Sequence, residues 1–275
     1  MPVKRAWMLI ALVFTAPMTA AAGNVITDWD EKAVALVQPG TVFPPPTALR
    51  TTAILHLAMF EAVNSIERRY RPYRVQVAAA ADTSKEAAAA SAAGAVLMKL
   101  VPNAAPDIQT AVTSYLEKLP DGEAKSAGIK LGQEVAAGIL EMRANDGASA
   151  ADAYRPKTRP GVYIPTAITI GWSIAHVTPF ALASPVQFRP KPPPSLKSAE
   201  WARDYNEIKE VGEKNSTKRT ARQTEDARFW ISVNPGMSHQ LVRQIVVAKN
   251  MDTVDSAHFM ALAAVAEADA GHCAF

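Results

Sequence analysis

The stretch TALRTTAILHLAMFEAVNSIERR (47–69) sets the strongest constraint on the fold. Leu49, Ala53, His56, Phe60 and Val63 recur at three- and four-residue spacing and so share one helix face. Prolines at 44 to 46 precede this run and Pro72 follows it, which bounds one helix. The same texture fills most of the chain. Thr83-Ser84-Lys85-Glu86 has capping-box form ahead of an alanine-rich helix reaching about Leu100, whose small side chains, with Gly94, admit a close neighbour. A third helix is predicted from near Asn103 to Leu119, and a fourth from Asp121 to the stop signal Asn145-Asp146-Gly147. Ser198 caps a helix carrying Trp201, Tyr205, Ile208 and Val211. Thr220-Ala221-Arg222-Gln223 is a second capping box, and two further helices follow from Ser238 and from Thr253. No stretch alternates as a strand would, and no internal repeat occurs. The fold class is all-α, a helical bundle with short loops.

Between the two helical stretches the texture changes. Nine of the chain's 20 prolines fall within 148–197. Proline blocks continuous helix. The same segment holds Tyr154, Tyr163, Trp172, Phe180 and Phe188, and plain disorder is poor in aromatics. It reads as an ordered, extended crossover laid over helices and a candidate pocket rim. The predicted layout is therefore a leader over 1–22, then one helical domain over 23–275. Within that domain, 23–147 is a first bundle, 148–197 the crossover and 198–275 the start of a second bundle.

The leader rests on basic Lys4 and Arg5, an apolar run over 6–20 and small residues at Ala20-Ala21-Ala22. That run is too short, and too broken by Pro17, to span a bilayer comfortably. The expected location is secreted or periplasmic, with no stable membrane anchor after cleavage. The formal net charge of +3 falls further once Lys4 and Arg5 leave. Nucleic-acid binding, which needs bases clustered on one face, is not expected. The dense run Glu67-Arg68-Arg69-Tyr70-Arg71 reads as a solvated helix end. A single cysteine, Cys273, excludes an internal disulfide framework and any zinc site built on several thiolates. It leaves a free thiol or a link between two chains, so a homodimer stays open.

No chemistry announces itself from local motifs. The five histidines, His56, His176, His239, His258 and His272, include no i, i+4 pair of the zinc-binding helix type. Asp269-Ala270-Gly271-His272 places a carboxylate and an imidazole at i, i+3. A di-iron bundle needs two Glu-x-x-His copies and two more glutamates, so this is one imperfect copy. No nucleophile elbow, phosphate loop or dinucleotide fingerprint occurs. No residue is assigned a catalytic, cofactor-binding or metal-binding role. His56 reads as a core histidine held by a backbone carbonyl or a neighbouring side chain. Glu61 and Asn64 serve packing or capping, and His258 and His272 read as helix-packing residues. Trp230, beside Phe229, reads as core. His56, Trp172, Phe229 and Trp230 are the structural or pocket-rim candidates.

Several stretches together resemble the bacterial vanadium-dependent haloperoxidases, which share a fold with the type 2 phosphatidic acid phosphatases. They are ILHLAMFEAVNSIERRYRPY (54–73), VTPFALASPVQFRPKPPPSL (177–196), SAEWARDYNEIKEVG (198–212) and RTARQTEDARFW (219–230). HFMALAAVAEADAG (258–271) is similar to the helix that, in that family, leads into the first oxyanion-binding motif. The resemblance implies an all-helical fold in which bound vanadate activates hydrogen peroxide to oxidise a halide. It implies an anion cage of lysine, arginines, Ser, Gly and two histidines. The phosphatase relatives use the same cage for phosphate, with histidine as nucleophile.

The family's Lys-x6-Arg-Pro stretch, its Pro-Ser-Gly-His stretch and its closing Arg-to-His motif do not occur in these residues. Pro194-Ser195 is followed by Leu196, and 157–161 carries Lys and Arg-Pro at the wrong spacing. The expectation is a truncation near residue 271, with the catalytic half beyond Phe275. Vanadate, halide and hydrogen peroxide are then expected for the complete form, and neither cofactor nor turnover for these residues alone. Phosphomonoester hydrolysis on the same fold, or a non-catalytic helical module, are the alternatives.

Overall fold

The computed structural model describes residues 23–37, 45–151, 155, 157–166, 171–232 and 235–274. The predicted leader and residues Tyr154 and Phe275 lie outside them. The α-helices are α1 (Val25–Val37), α2 (Pro45–Glu67), α3 (Lys85–Leu100), α4 (Ala105–Leu116), α5 (Glu123–Met142), α6 (Ala199–Val211), α7 (Ala221–Ser232), α8 (Pro235–Ala248) and α9 (Thr253–Ala274). Short 3-10 turns occupy Pro102–Ala104 and Trp172–His176. No strand occurs among the described residues. The fold is all-α, and no single helix among them is long and apolar enough to cross a membrane.

Helix α2 is the axle. Every residue from Thr51 to Ile66 is buried, because α1, α3, α5 and α9 surround it. The expectation of a single buried face was too narrow: Thr51, Thr52, Glu61, Asn64 and Ser65 are inside as well. Several of their polar atoms find local partners, as burial favours, whereas Glu61 Oε2 has none. Thr52 Oγ1 donates to the Ala48 carbonyl (3.2 Å), Glu61 Oε1 accepts from the backbone of Arg74 (2.7 Å) and Val75 (3.2 Å), and Asn64 grips both sides of the Tyr70 backbone. Glu61 and Asn64 thus pin the chain that leaves α2.

Small residues set how closely α3, α4 and α5 approach. A Cβ on Gly132 of α5 would lie 2.2 Å from the Ala88 carbonyl of α3, and one on Gly128 would lie 2.5 Å from that of Ser84. On the other side of α3, Gly94 faces the Val112 side chain of α4. The alanine-rich sequence of α3 is therefore the contact that lets two helices close on it. Its cap is shifted by one residue from expectation. Ser84, not Thr83, accepts from the N3 amide, that of Ala87 (3.1 Å). At α7 the box is as read, since Gln223 Oε1 accepts from the Thr220 amide (2.9 Å) and Thr220 Oγ1 from the Gln223 amide (3.2 Å).

The basic run after α2 is exposed, as expected of a solvated helix end, but it is not without partners. Arg69 bonds Asp252 and Asp255 at the start of α9, at 2.7 and 2.6 Å, and the Tyr70 hydroxyl donates to Asp255. The amphipathic face predicted for α6 buries nothing: α6 and α7 contain no buried residue. Trp201 stacks on Tyr205, and Ile208 and Ile231 stand in solvent.

Candidate functional site

Buried polar groups concentrate in two places, each built from several helices. The first begins on α1. Asn24 caps that helix, its Oδ1 accepting from the Ile26 amide at 3.0 Å, and its Nδ2 donates to Ser256 of α9. The cap fixes the rotation of α1 so that Ile26, Trp29, Ala33 and Val37 face inward. Asp30 lies within that apolar stripe and is fully buried. Its Oδ1 contacts His56 Nε2 of α2 at 2.7 Å and His239 Nδ1 of α8 at 2.5 Å, while Oδ2 accepts from Arg243 one turn further along α8. On the far side of His239, Nε2 lies 3.5 Å from Glu267 Oε2 of α9, and Ser238 donates to Glu267 Oε1 at 2.6 Å.

Burial works against a charge on Asp30, but hydrogen bonds from His239 and His56 hold its carboxyl well below the usual range. The two imidazoles are driven apart. Burial pushes His56 below its ordinary value of 6.5, against the pull of Asp30. For His239 burial is outweighed by the bond to Asp30 and the fields of Asp30 and Glu267, so it rises above 6.5. Of the two imidazoles on this one carboxylate, His239 is therefore the one that holds a proton to higher pH. The ligand-capable atoms of Asp30, His56 and His239 all lie within 4.8 Å of one another.

The second place joins the crossover to the bundle. Asp146, just after α5, accepts from Arg50 Nε and Arg143 Nε, both at 2.8 Å. Arg143 also donates to the Thr178 carbonyl (2.6 Å) and lies 3.9 Å over the Phe180 ring. Gly147 permits this turn with φ +96°, and a Cβ there would sit 2.0 Å from the His176 carbonyl. Asp269 of α9 receives three successive backbone amides, those of Phe180 (2.6 Å), Ala181 (2.8 Å) and Leu182 (3.0 Å). Both oxygens are thereby engaged, so the Asp269–His272 pair is an anchor for the crossover, not half of a di-iron site. His272, one turn on, is buried under the Phe180 ring with neither ring nitrogen hydrogen-bonded.

The structure brings only one of the four singled-out residues into a polar site. His56 is there, bonded to a carboxylate from another helix. Trp172 is at the surface, edge-on to His176. Phe229 and Trp230 pack against each other at the surface, 55% and 69% exposed. The core reading of Trp230 is thus overturned, because α7 is not enclosed by other helices. Sequence reasoning missed Asp30 and the role of His239. A charged residue four after Ile26 and three before Ala33 was the available signal, since that spacing puts it inside an apolar stripe.

No protein-family model matches the sequence, and no curated protein matches it. Among solved structures it is similar to a bacterial vanadium-dependent iodoperoxidase, with a TM-score of 0.69 and 22% sequence identity. The likeness covers 90% of this chain and 66% of the iodoperoxidase chain. The all-α fold is therefore that of a vanadium haloperoxidase over nearly the whole length of this chain.

Proposed function

We propose that this is a vanadium-haloperoxidase-type protein, of the class that uses hydrogen peroxide to oxidise a halide at bound vanadate, and that these residues supply its helical frame. The observation that carries the reading is the iodoperoxidase likeness over 90% of the chain. The sequence stretches at 54–73, 177–196, 198–212, 219–230 and 258–271 support it as well. The leader-like N-terminus supports export.

An oxyanion cage needs cations and donors that no carboxylate already holds. Among the described residues the inward arginines are committed: Arg243 to Asp30, and Arg50 and Arg143 to Asp146. An anion entering either cluster would meet a buried carboxylate at hydrogen-bond distance. Neither of these two buried clusters fits vanadate, and no step of the reaction is assigned to them. Their work is to hold α2, α8, α9 and the crossover in one arrangement.

The test is vanadate titration of the purified 275-residue protein, followed by 51V NMR, beside an iodide-oxidation assay with peroxide. Neither binding nor turnover is expected. Vanadate-dependent oxidation by these residues would overturn the frame reading. A chimera that adds the part of the iodoperoxidase chain that this sequence does not cover should gain vanadate binding. A folded chimera that binds none would count against the haloperoxidase class itself.

A further inference from the structure

We propose that Asp30, His56 and His239 form a site for one divalent transition-metal ion, with zinc as the type case, ligated through Asp30 Oδ1, His56 Nε2 and His239 Nδ1. The site stands apart from the haloperoxidase reading and would survive its failure. Its first support is convergence. Three ligand-capable side chains from α1, α2 and α8 are buried with their donor atoms within 4.8 Å of one another. Two imidazole nitrogens and one carboxylate oxygen suit a borderline cation such as Zn2+ or Co2+, and a hard cation such as Mg2+ much less.

The second support is the surrounding shell. Metal-bound histidines commonly give their other N–H to a carboxylate, which fixes the tautomer. Coordination through Nδ1 puts the His239 proton on Nε2, which faces Glu267 at 3.5 Å, and Glu267 is itself held by Ser238. Arg243 occupies the second oxygen of Asp30 and so leaves Oδ1 to the shared position. Hydrogen bonding among these groups leaves ring nitrogens of both buried histidines, His56 Nδ1 and His239 Nε2, with no hydrogen-bond partner. Such orphans are uncommon, and each calls for an explanation. A metal on His239 Nδ1 fixes the remaining ring proton on Nε2, toward Glu267.

The geometry requires a small opening. The present N···O separations are 2.7 and 2.5 Å. A tetrahedral ion with bonds of about 2.1 Å sets them at about 3.4 Å. Arg243 and Glu267, which flank the cluster, are partly exposed. Loading displaces the proton that His239 Nδ1 donates to Asp30, moves the His56 proton from Nε2 to Nδ1, and leaves three ligands plus an open fourth position, the layout of sites that bind water or a substrate atom.

The experiment is a Co2+ titration of the full chain after chelator treatment, followed by visible absorption and displaced by Zn2+. One equivalent with the intense bands of four- or five-coordinate cobalt is expected. Asp30→Asn and His239→Gln should each weaken binding at least ~100-fold, and Glu267→Gln about tenfold. If the wild-type protein binds no stoichiometric cobalt, or shows only weak six-coordinate bands, the proposal is overturned and the cluster is a hydrogen-bonded ion network alone. Should Asp30→Asn fail to fold, His239→Gln decides: it keeps a side-chain donor for Asp30, and unchanged binding in that variant also overturns the site.

Discussion

At the scale of single residues, the interior is governed by how each buried polar group finds a counterpart. Asp269 shows the favourable case, a carboxylate meeting three backbone amides from one turn of the crossover. Asp269→Asn replaces one acceptor oxygen by a donor facing those amides. We expect a loss of about 2–3 kcal/mol in denaturant stability, the range for buried hydrogen bonds to a charged group. His272 shows the opposite case. Burial, with Arg143 and Arg50 nearby, pushes it below its ordinary value of 6.5, although Asp269 pulls the other way. Its contribution is therefore intact above that value and is lost as pH falls, because the unfolded chain takes up a proton that the folded one resists. Substituting His272→Phe should flatten the decline in stability between pH 7.5 and 5.5 by up to ~1.4 kcal/mol per pH unit, read from urea midpoints. A slope unchanged by the substitution would show that His272 is not the group responsible.

At the scale of elements, close approach rather than bulk decides which helices pair. Ala is the better helix former by about 1 kcal/mol at an exposed position. Gly132→Ala should nevertheless destabilise the protein by about 1–3 kcal/mol, because its methyl would press on the Ala88 carbonyl, a backbone atom that cannot swing away. A thermal melt of that single variant checks this, and a gain in melting temperature would contradict the α3–α5 contact. The capping residues act on the same scale. Ser84, Ser198 and the Thr220–Gln223 pair each satisfy amides that no helical carbonyl can reach.

Across the whole molecule, stability is unevenly spread. The axle α2 is buried on all sides, while α6 and α7 bury nothing. Native-state hydrogen exchange should therefore show the amides of α2 opening only with global unfolding. Those of α6 and α7 should exchange by local opening at far lower free energy. The crossover should fall between the two, protected where the Asp146 carbonyl accepts from the Thr178 amide and Asp269 accepts from the Phe180 amide, and fast near the exposed Phe188. Equal protection in α2 and α7 would contradict this distribution.

Much of the helical frame is legible in the sequence, because a helix is a local object. Three- and four-residue spacing, capping boxes and prolines act over a few positions, so local pattern alone marks out α2 to α9. Of the aromatics read in 148–197, Phe180 takes part in the anchoring, while Tyr163, Trp172 and Phe188 are exposed. The sequence by itself also determined that α3 could be approached closely, since alanine and glycine are small wherever they lie. What only the tertiary structure decided was which polar residues meet. Asp30, His56 and His239 are separated by 26 and 183 positions, and no local spacing records their convergence. The same holds for the face of α6 and for Trp230: amphipathic pattern names the side that could be buried, but only the packing of distant helices determines whether anything covers it.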